Sequence, residues 1–142
     1  MQSCSGSLSP ASLMTAPQSR RILLAEDDAR AREISALVLQ TEGYRVSMAS
    51  NGTQALEMLM LDPDVDMLVS DINMPGGIDG IQLARRAQQS LAPLRIILLS
   101  AYPLDSFTDF PDHVAFLSKP YDRRALLNAV GISFMNEGSA IN

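Results

Sequence analysis

Two short apolar runs in this chain end in acid: Arg21-Ile22-Leu23-Leu24-Ala25 runs into Glu26-Asp27-Asp28, and Asp66-Met67-Leu68-Val69-Ser70 runs into Asp71. Carboxylates gathered in one place repel one another unless a hard cation sits between them. Mg²⁺ suits such a place, because it takes oxygen ligands and is commonly held by one or two carboxylates together with a phosphate. Two further runs end in other chemistry. Leu94-Arg95-Ile96-Ile97-Leu98-Leu99 stops at Ser100, and Val114-Ala115-Phe116-Leu117-Ser118 is followed by Lys119-Pro120. Four run ends thus supply acids, a hydroxyl and an ammonium.

Short apolar runs bounded by turn signals read as buried strands of a parallel sheet, whose ligands gather outside the carboxyl ends of the strands. Strands are expected at about 21–26, 44–49, 66–70, 94–99 and 114–117. Amphipathic segments alternate with them, the sequence order of a parallel sheet covered by helices. The first helix is expected from Asp28 to Glu42, with Ile34, Leu37, Val38 and Thr41 on its inner stripe, Asp28 as its cap and Gly43 as its stop. Asn51-Gly52-Thr53 opens a second helix with Ala55, Leu56, Leu59 and Met60 inward, and Asp62-Pro63 closes it. Asp79-Gly80 opens a third, burying Ile81, Leu83, Ala84 and Ala87. A last helix begins near Asp122 and carries Leu126, Leu127, Val130 and Phe134. The stretch 101–113, broken by Pro103 and Pro111, leaves little room for another long helix.

With 142 residues, 46% of them hydrophobic, the chain has the size and composition of one domain. The assignment is residues 1–19 as a Ser-rich disordered tail or linker, 20–136 as the domain, and 137–142 as a frayed tail. A net charge of −5 argues against nucleic-acid binding, which draws on clustered Lys and Arg. The pairs Arg20-Arg21, Arg85-Arg86 and Arg123-Arg124 read as solvated surface. No apolar stretch approaches the ~18 residues that span a bilayer, and the first residues do not resemble a secretory signal. The single cysteine, Cys4, excludes an internal disulfide and fits a cytoplasmic setting. His113 has no metal-ligand partner near it in sequence and reads as a surface residue.

Read in order, Glu26-Asp27, Asp71 with Met74-Pro75 and Asp79-Gly80 behind it, Ser100-Ala101 and Lys119-Pro120 resemble the receiver domain of bacterial two-component response regulators. The resemblance covers about residues 21–135. It implies a three-layer (βα)₅ α/β fold, a doubly wound five-stranded parallel sheet of flavodoxin-like order 2-1-3-4-5, here with a short or irregular fourth helix. It implies that Asp71 takes a phosphoryl group from a phosphohistidine, as a phosphoacceptor switch and not an enzyme acting on other substrates. Mg²⁺, or Mn²⁺ in its place, would be held by Asp27, Asp71 and the backbone carbonyl of Asn73, with Glu26 reaching it through water. Lys119 would pair with Asp71 before transfer and with a phosphoryl oxygen after it. Ser100 would donate to another phosphoryl oxygen, and the backbone N–H groups of Asn73 and Ala101 would complete the cradle. Phe116 reads equally as core packing or as a switch aromatic coupled to Ser100. Asn73 and Tyr102 occupy positions that tune hydrolysis of the acyl phosphate.

The resemblance further implies a sensor histidine kinase or histidine phosphotransfer protein as donor, docking over the acidic edge and the first helix, and a downstream protein target. A monomer with no nucleic-acid or membrane partner is the expectation. Two features depart from the family's pattern. Gly76-Gly77-Ile78 puts three residues between Pro75 and Asp79 where two are usual, and the Ser100-to-Lys119 stretch is short. The alternatives are a receiver belonging to a hybrid histidine kinase and an interaction module that works without phosphorylation. A phosphatase using an aspartyl-phosphate intermediate would carry an acid where Asn73 stands.

Overall fold

Residues 20–90 and 93–135 are described by the computed structural model, so the tails assigned to 1–19 and 137–142 lie outside the described residues. In chain order the elements are β1 (Arg21–Ala25), α1 (Ala29–Thr41), β2 (Arg45–Ala49), α2 (Gly52–Leu61), β3 (Met67–Asp71), α3 (Gly80–Ser90), β4 (Arg95–Ser100), a 3₁₀ turn (Leu104–Ser106), β5 (Ala115–Ser118) and α4 (Arg123–Met135). All five strands pair in parallel in the order β2-β1-β3-β4-β5, the order expected from the sequence.

The three inner strands are short runs of almost wholly buried residues that reach both faces of the sheet by alternation, whereas the edge strands β2 and β5 are largely open to solvent. Leu23, Ala25, Leu68, Ile96 and Leu98 face one core with α2 and α3, and Ile22, Leu24, Met67, Val69, Ile97 and Leu99 face the other with α1 and α4. Side-chain caps fix where three of the helices begin. Asp28 accepts from the Ala31 amide at 2.8 Å, Asn51 from the Gln54 amide at 2.7 Å, and Asp122 from the Ala125 amide at 2.8 Å. Asp79 and Gln82 form a reciprocal capping box at α3, each side chain accepting from the other's amide. The Asp28 and Asp122 caps were both legible in the sequence.

The inner stripe of α1 is a correction. Ile34 and Leu37 are 58% and 61% exposed and Thr41 is exposed, while Ser35, Ala36 and Leu39 are buried and Val38 only partly so. Apolar residues occur on two faces of this helix. Polar ties from its inner side select the small-residue face: Arg32 donates to the Glu26 carbonyl at 2.8 Å, and Ser35 bonds Tyr121 across the layer. In α2, Ala55 and Leu59 are buried as expected, while Met60, also expected inward, is 48% exposed.

Between β4 and β5 the only helical element is the three-residue 3₁₀ turn. The rest forms a strap over the α3 side of the sheet, where Phe107 and Phe110 pack on the core and Phe110 meets Phe116 edge to face at 5.9 Å. Arg85 and Gln88 of α3 donate to the carbonyls of Asp109 and Asp112 and so tie the strap down.

Candidate functional site

Apart from Phe116, which lies within β5, every residue expected at the site sits at or just beyond the carboxyl end of a strand, because the parallel sheet points all five ends the same way. Glu26 follows β1 and is 2% exposed; Asp71 ends β3 at 6%; Ser100 ends β4 at 0%. Asp27, Asn73, Ala101 and Tyr102 are on the surface around them. Carboxylate oxygens of Glu26, Asp27 and Asp71 lie within 4.8 Å of one another, with two of the three residues buried.

Lys119 reaches into this cluster. Its Nζ donates to Glu26 Oε1 at 2.9 Å and lies 3.2 Å from Asp71 Oδ1. The sequence suggested the pair with Asp71 but not the shorter bond to Glu26. That bond needs the ends of β1 and β5 brought together across β3 and β4, a distance no local pattern reports. The backbone also holds the lysine, since the Lys119 amide donates to the Ser100 carbonyl at 2.8 Å.

The loop bearing the acid pair is fixed from four directions. The Glu26 amide donates to the Ala49 carbonyl at 3.1 Å, the Glu26 carbonyl accepts from Arg32, Glu26 Oε2 accepts from the Asp28 amide at 3.2 Å, and Asp28 caps α1. Behind Asp71, Ser70 Oγ donates to the Asp71 carbonyl at 2.9 Å and the Gly80 amide donates to the Ile72 carbonyl at 2.8 Å. Gly80 has to be glycine: a Cβ there would lie 2.2 Å from the Asp71 carbonyl oxygen and 2.7 Å from Ile72 Cα.

Electrostatics follow from this burial. Desolvation and then the neighbouring Glu26 push the Asp71 carboxyl up to about 6, against the pull of Lys119. Burial alone would lower the Lys119 ammonium, but its hydrogen bond to Glu26 and the charges of Asp71 and Glu26 outweigh it and hold the pKa above the ordinary lysine value. Two buried acids sharing one ammonium, with a third acid at the rim, leave negative charge in excess. The oxygen donor set and the spacing fit a small hard cation.

The hydroxyl of Ser100 is engaged elsewhere, accepting from the Tyr102 amide at 2.9 Å. Phe116 is half-buried, packed on the core and edge to face with Phe110. His113, with φ 63°, is an exposed turn residue. The inserted Gly76-Gly77-Ile78 loop leans on the start of α2, where a Cβ at Gly52 would meet the Ile78 carbonyl oxygen at 2.4 Å.

Comparisons with known proteins agree with this fold. A family profile described as the response regulator receiver domain matches residues 22–131. The response regulator receiver protein CpdR of Brucella abortus is 39% identical over 114 residues, which is 78% of this chain and 93% of CpdR. The crystal structure of the receiver domain from the hybrid histidine kinase CckA superposes with a TM-score of 0.70 at 33% identity, over 80% of this chain and 97% of that one. A third, the response regulator TrrA of Thermotoga maritima in complex with Mg²⁺-BeF, gives a TM-score of 0.72 at 31% identity, over 80% of this chain and 98% of that one.

Proposed function

The chain belongs to the response regulator receiver family, and from that premise we propose that Asp71 is its phosphoacceptor and that Glu26, Asp27, Ser100 and Lys119 serve the transfer. A receiver is a signalling module of two-component systems, and the chemistry it performs is on itself. The observation that carries the residue assignment is the ammonium of Lys119 held between Glu26 at 2.9 Å and Asp71 at 3.2 Å, with Asp27 beside them.

An oxygen of the Asp71 carboxylate attacks phosphorus as the phosphorus–nitrogen bond of the donor phosphohistidine breaks. An acyl phosphate forms and the imidazole leaves. Such transfer needs positioning and neutralisation of the phosphoryl oxygens more than covalent assistance. Asp27, Asp71 and the Asn73 carbonyl would hold Mg²⁺, or Mn²⁺ in its place, with Glu26 reaching it through water, and the bound cation supplies charge neutralisation. The Mg²⁺-BeF complex of TrrA supports this reading. Lys119 moves its ammonium from Asp71 to a phosphoryl oxygen. Ser100 gives up the Tyr102 amide to donate its hydroxyl to another, and the Asn73 and Ala101 amides close the cradle. Asn73 and Tyr102, both exposed beside Asp71 and Ser100, set the access of water to the acyl phosphate.

The donor is a sensor histidine kinase or a histidine phosphotransfer protein. Its docking ground is the acidic edge and α1, where the exposed Ile34 and Leu37 supply apolar contact. A module that binds partners without phosphorylation is disfavoured, because it has no use for a buried carboxylate whose ionisation its surroundings oppose.

Incubating the protein with Mg²⁺ and acetyl phosphate, followed by intact mass, tests the assignment. The wild type gains one phosphoryl group only when Mg²⁺ is present, and Asp71→Asn gains none. An adduct retained in Asp71→Asn would remove Asp71 from the role.

A further inference from the structure

Lys119 acts at the end of a long flexible stem, and something must hold the turn it grows from. That turn is short: β5 ends at Ser118 and α4 begins at Arg123. Its first residue is pinned by the Lys119 amide on the Ser100 carbonyl, and its last by the Asp122 cap on Ala125. Between the two stands Tyr121. Its hydroxyl shares a 3.0 Å hydrogen bond with Ser35 Oγ, 86 positions away on α1. Ser35 is 6% exposed and belongs to the inner face of α1 that the apolar pattern did not single out. Both residues line a cleft of about 500 Å³ whose other walls include Glu26, Lys119 and Pro120. Burial raises the Tyr121 phenol above its ordinary value.

We propose that the Ser35–Tyr121 hydroxyl pair is a positioning device for phosphoryl transfer: it fastens the Lys119 turn to α1 and holds the ammonium over Asp71. The proposal rests on the reading of Asp71 and Lys119 given above. The three fastenings of the turn have different reach. The Asp122 cap is internal to the β5–α4 connection and the Lys119 amide ties it to the end of β4, whereas Tyr121 ties it to the middle of α1, the element that also carries Arg32 and so fixes the Glu26 carbonyl; Arg123, next along the chain, reaches only Thr41 and Glu42 at the far end of that helix. One helix therefore sets both partners of the Lys119–Glu26 bond. Neither Ser35 nor Tyr121 ligates metal in this scheme, so its loss affects the rate of transfer and leaves the acid cluster intact.

The test uses Tyr121→Phe, Ser35→Ala and the double variant, each checked for a cooperative thermal transition. Two quantities are read: the phosphorylation rate with acetyl phosphate at saturating Mg²⁺, and the Mg²⁺ dissociation constant. Each single variant slows labelling by about three- to tenfold, the scale of one neutral hydrogen bond. The double variant is no slower than the slower single one, because both remove the same bond. Mg²⁺ affinity stays within about twofold of wild type, which a general loosening of the site would not allow. Wild-type rates in both single variants, or additive losses with weakened Mg²⁺ binding, would overturn the proposal. Should Tyr121→Phe not fold, Ser35→Ala carries the same comparison. Failure of the wild type itself to label would instead overturn the assignment of Asp71.

Discussion

Asp71 is costly to the molecule at neutral pH. A carboxyl moved from 3.8 to about 6 on folding binds more protons in the folded state over that interval, so stability falls as pH rises through it. The same shift predicts how the site takes its cation. Binding competes with the proton on Asp71, so Mg²⁺ affinity should be near its plateau at pH 7.5 and fall about tenfold for each unit of pH below about 6. Calorimetric Mg²⁺ titrations between pH 5 and 8 check this, and an affinity flat across that range would mean that Asp71 does not ligate. At this scale the sequence was legible where chemistry coincides with a strand end, because an acid or lysine that terminates an apolar run has few other places to go. Arg32, Ser35 and Tyr121 carried no such mark. Their contacts depend on how far α1 is rotated about its axis, and its two apolar faces left that rotation undecided.

Two elements meet more closely than a side chain would allow at one junction of the site. At the start of α3 the absence of a side chain at Gly80 lets the helix close on the end of β3, with the Asp71 carbonyl in the space a Cβ would take. Gly80→Ala should therefore destabilise the protein by about 2–3 kcal/mol, since backbone cannot yield as a side chain does. It should also slow labelling by moving Asp71. Urea denaturation alongside the acetyl phosphate assay measures both, and an undisturbed midpoint would show that α3 can slide. Asp79-Gly80 was legible as a helix entry, but the close approach behind it was not. The strap between β4 and β5 was foreseen only negatively, as a place without room for a helix. Its fastening by Phe107, Phe110, Arg85 and Gln88 follows from tertiary neighbours that local sequence does not reveal.

On the proposed reading, a protein donor docks on α1 beside the acid cluster, while the chemistry occurs at Asp71. Ile34 and Leu37 project from α1 on the side away from the core, which makes them dispensable for a small donor and useful to a large one. Leu37→Asp together with Ile34→Asp should cut phosphotransfer from a cognate histidine-phosphorylated protein by at least about tenfold, while acetyl phosphate labelling stays within about threefold of wild type. A parallel loss in both assays would place these residues in the chemistry and not in docking. The doubly wound arrangement was the most legible level of all. Alternating strands and helices, with both sheet faces apolar, leave few ways to assemble five short parallel strands.

The Lys119–Glu26 bond joins positions 93 residues apart. During synthesis the acid pair and Asp71 leave the ribosome well before the ammonium that completes their site. On the proposed reading, a nascent chain, or one clipped ahead of β5, would carry the acceptor carboxylate without its counter-charge. Efficient labelling would then require the end of β5 to be in place beside the acids of β1 and β3.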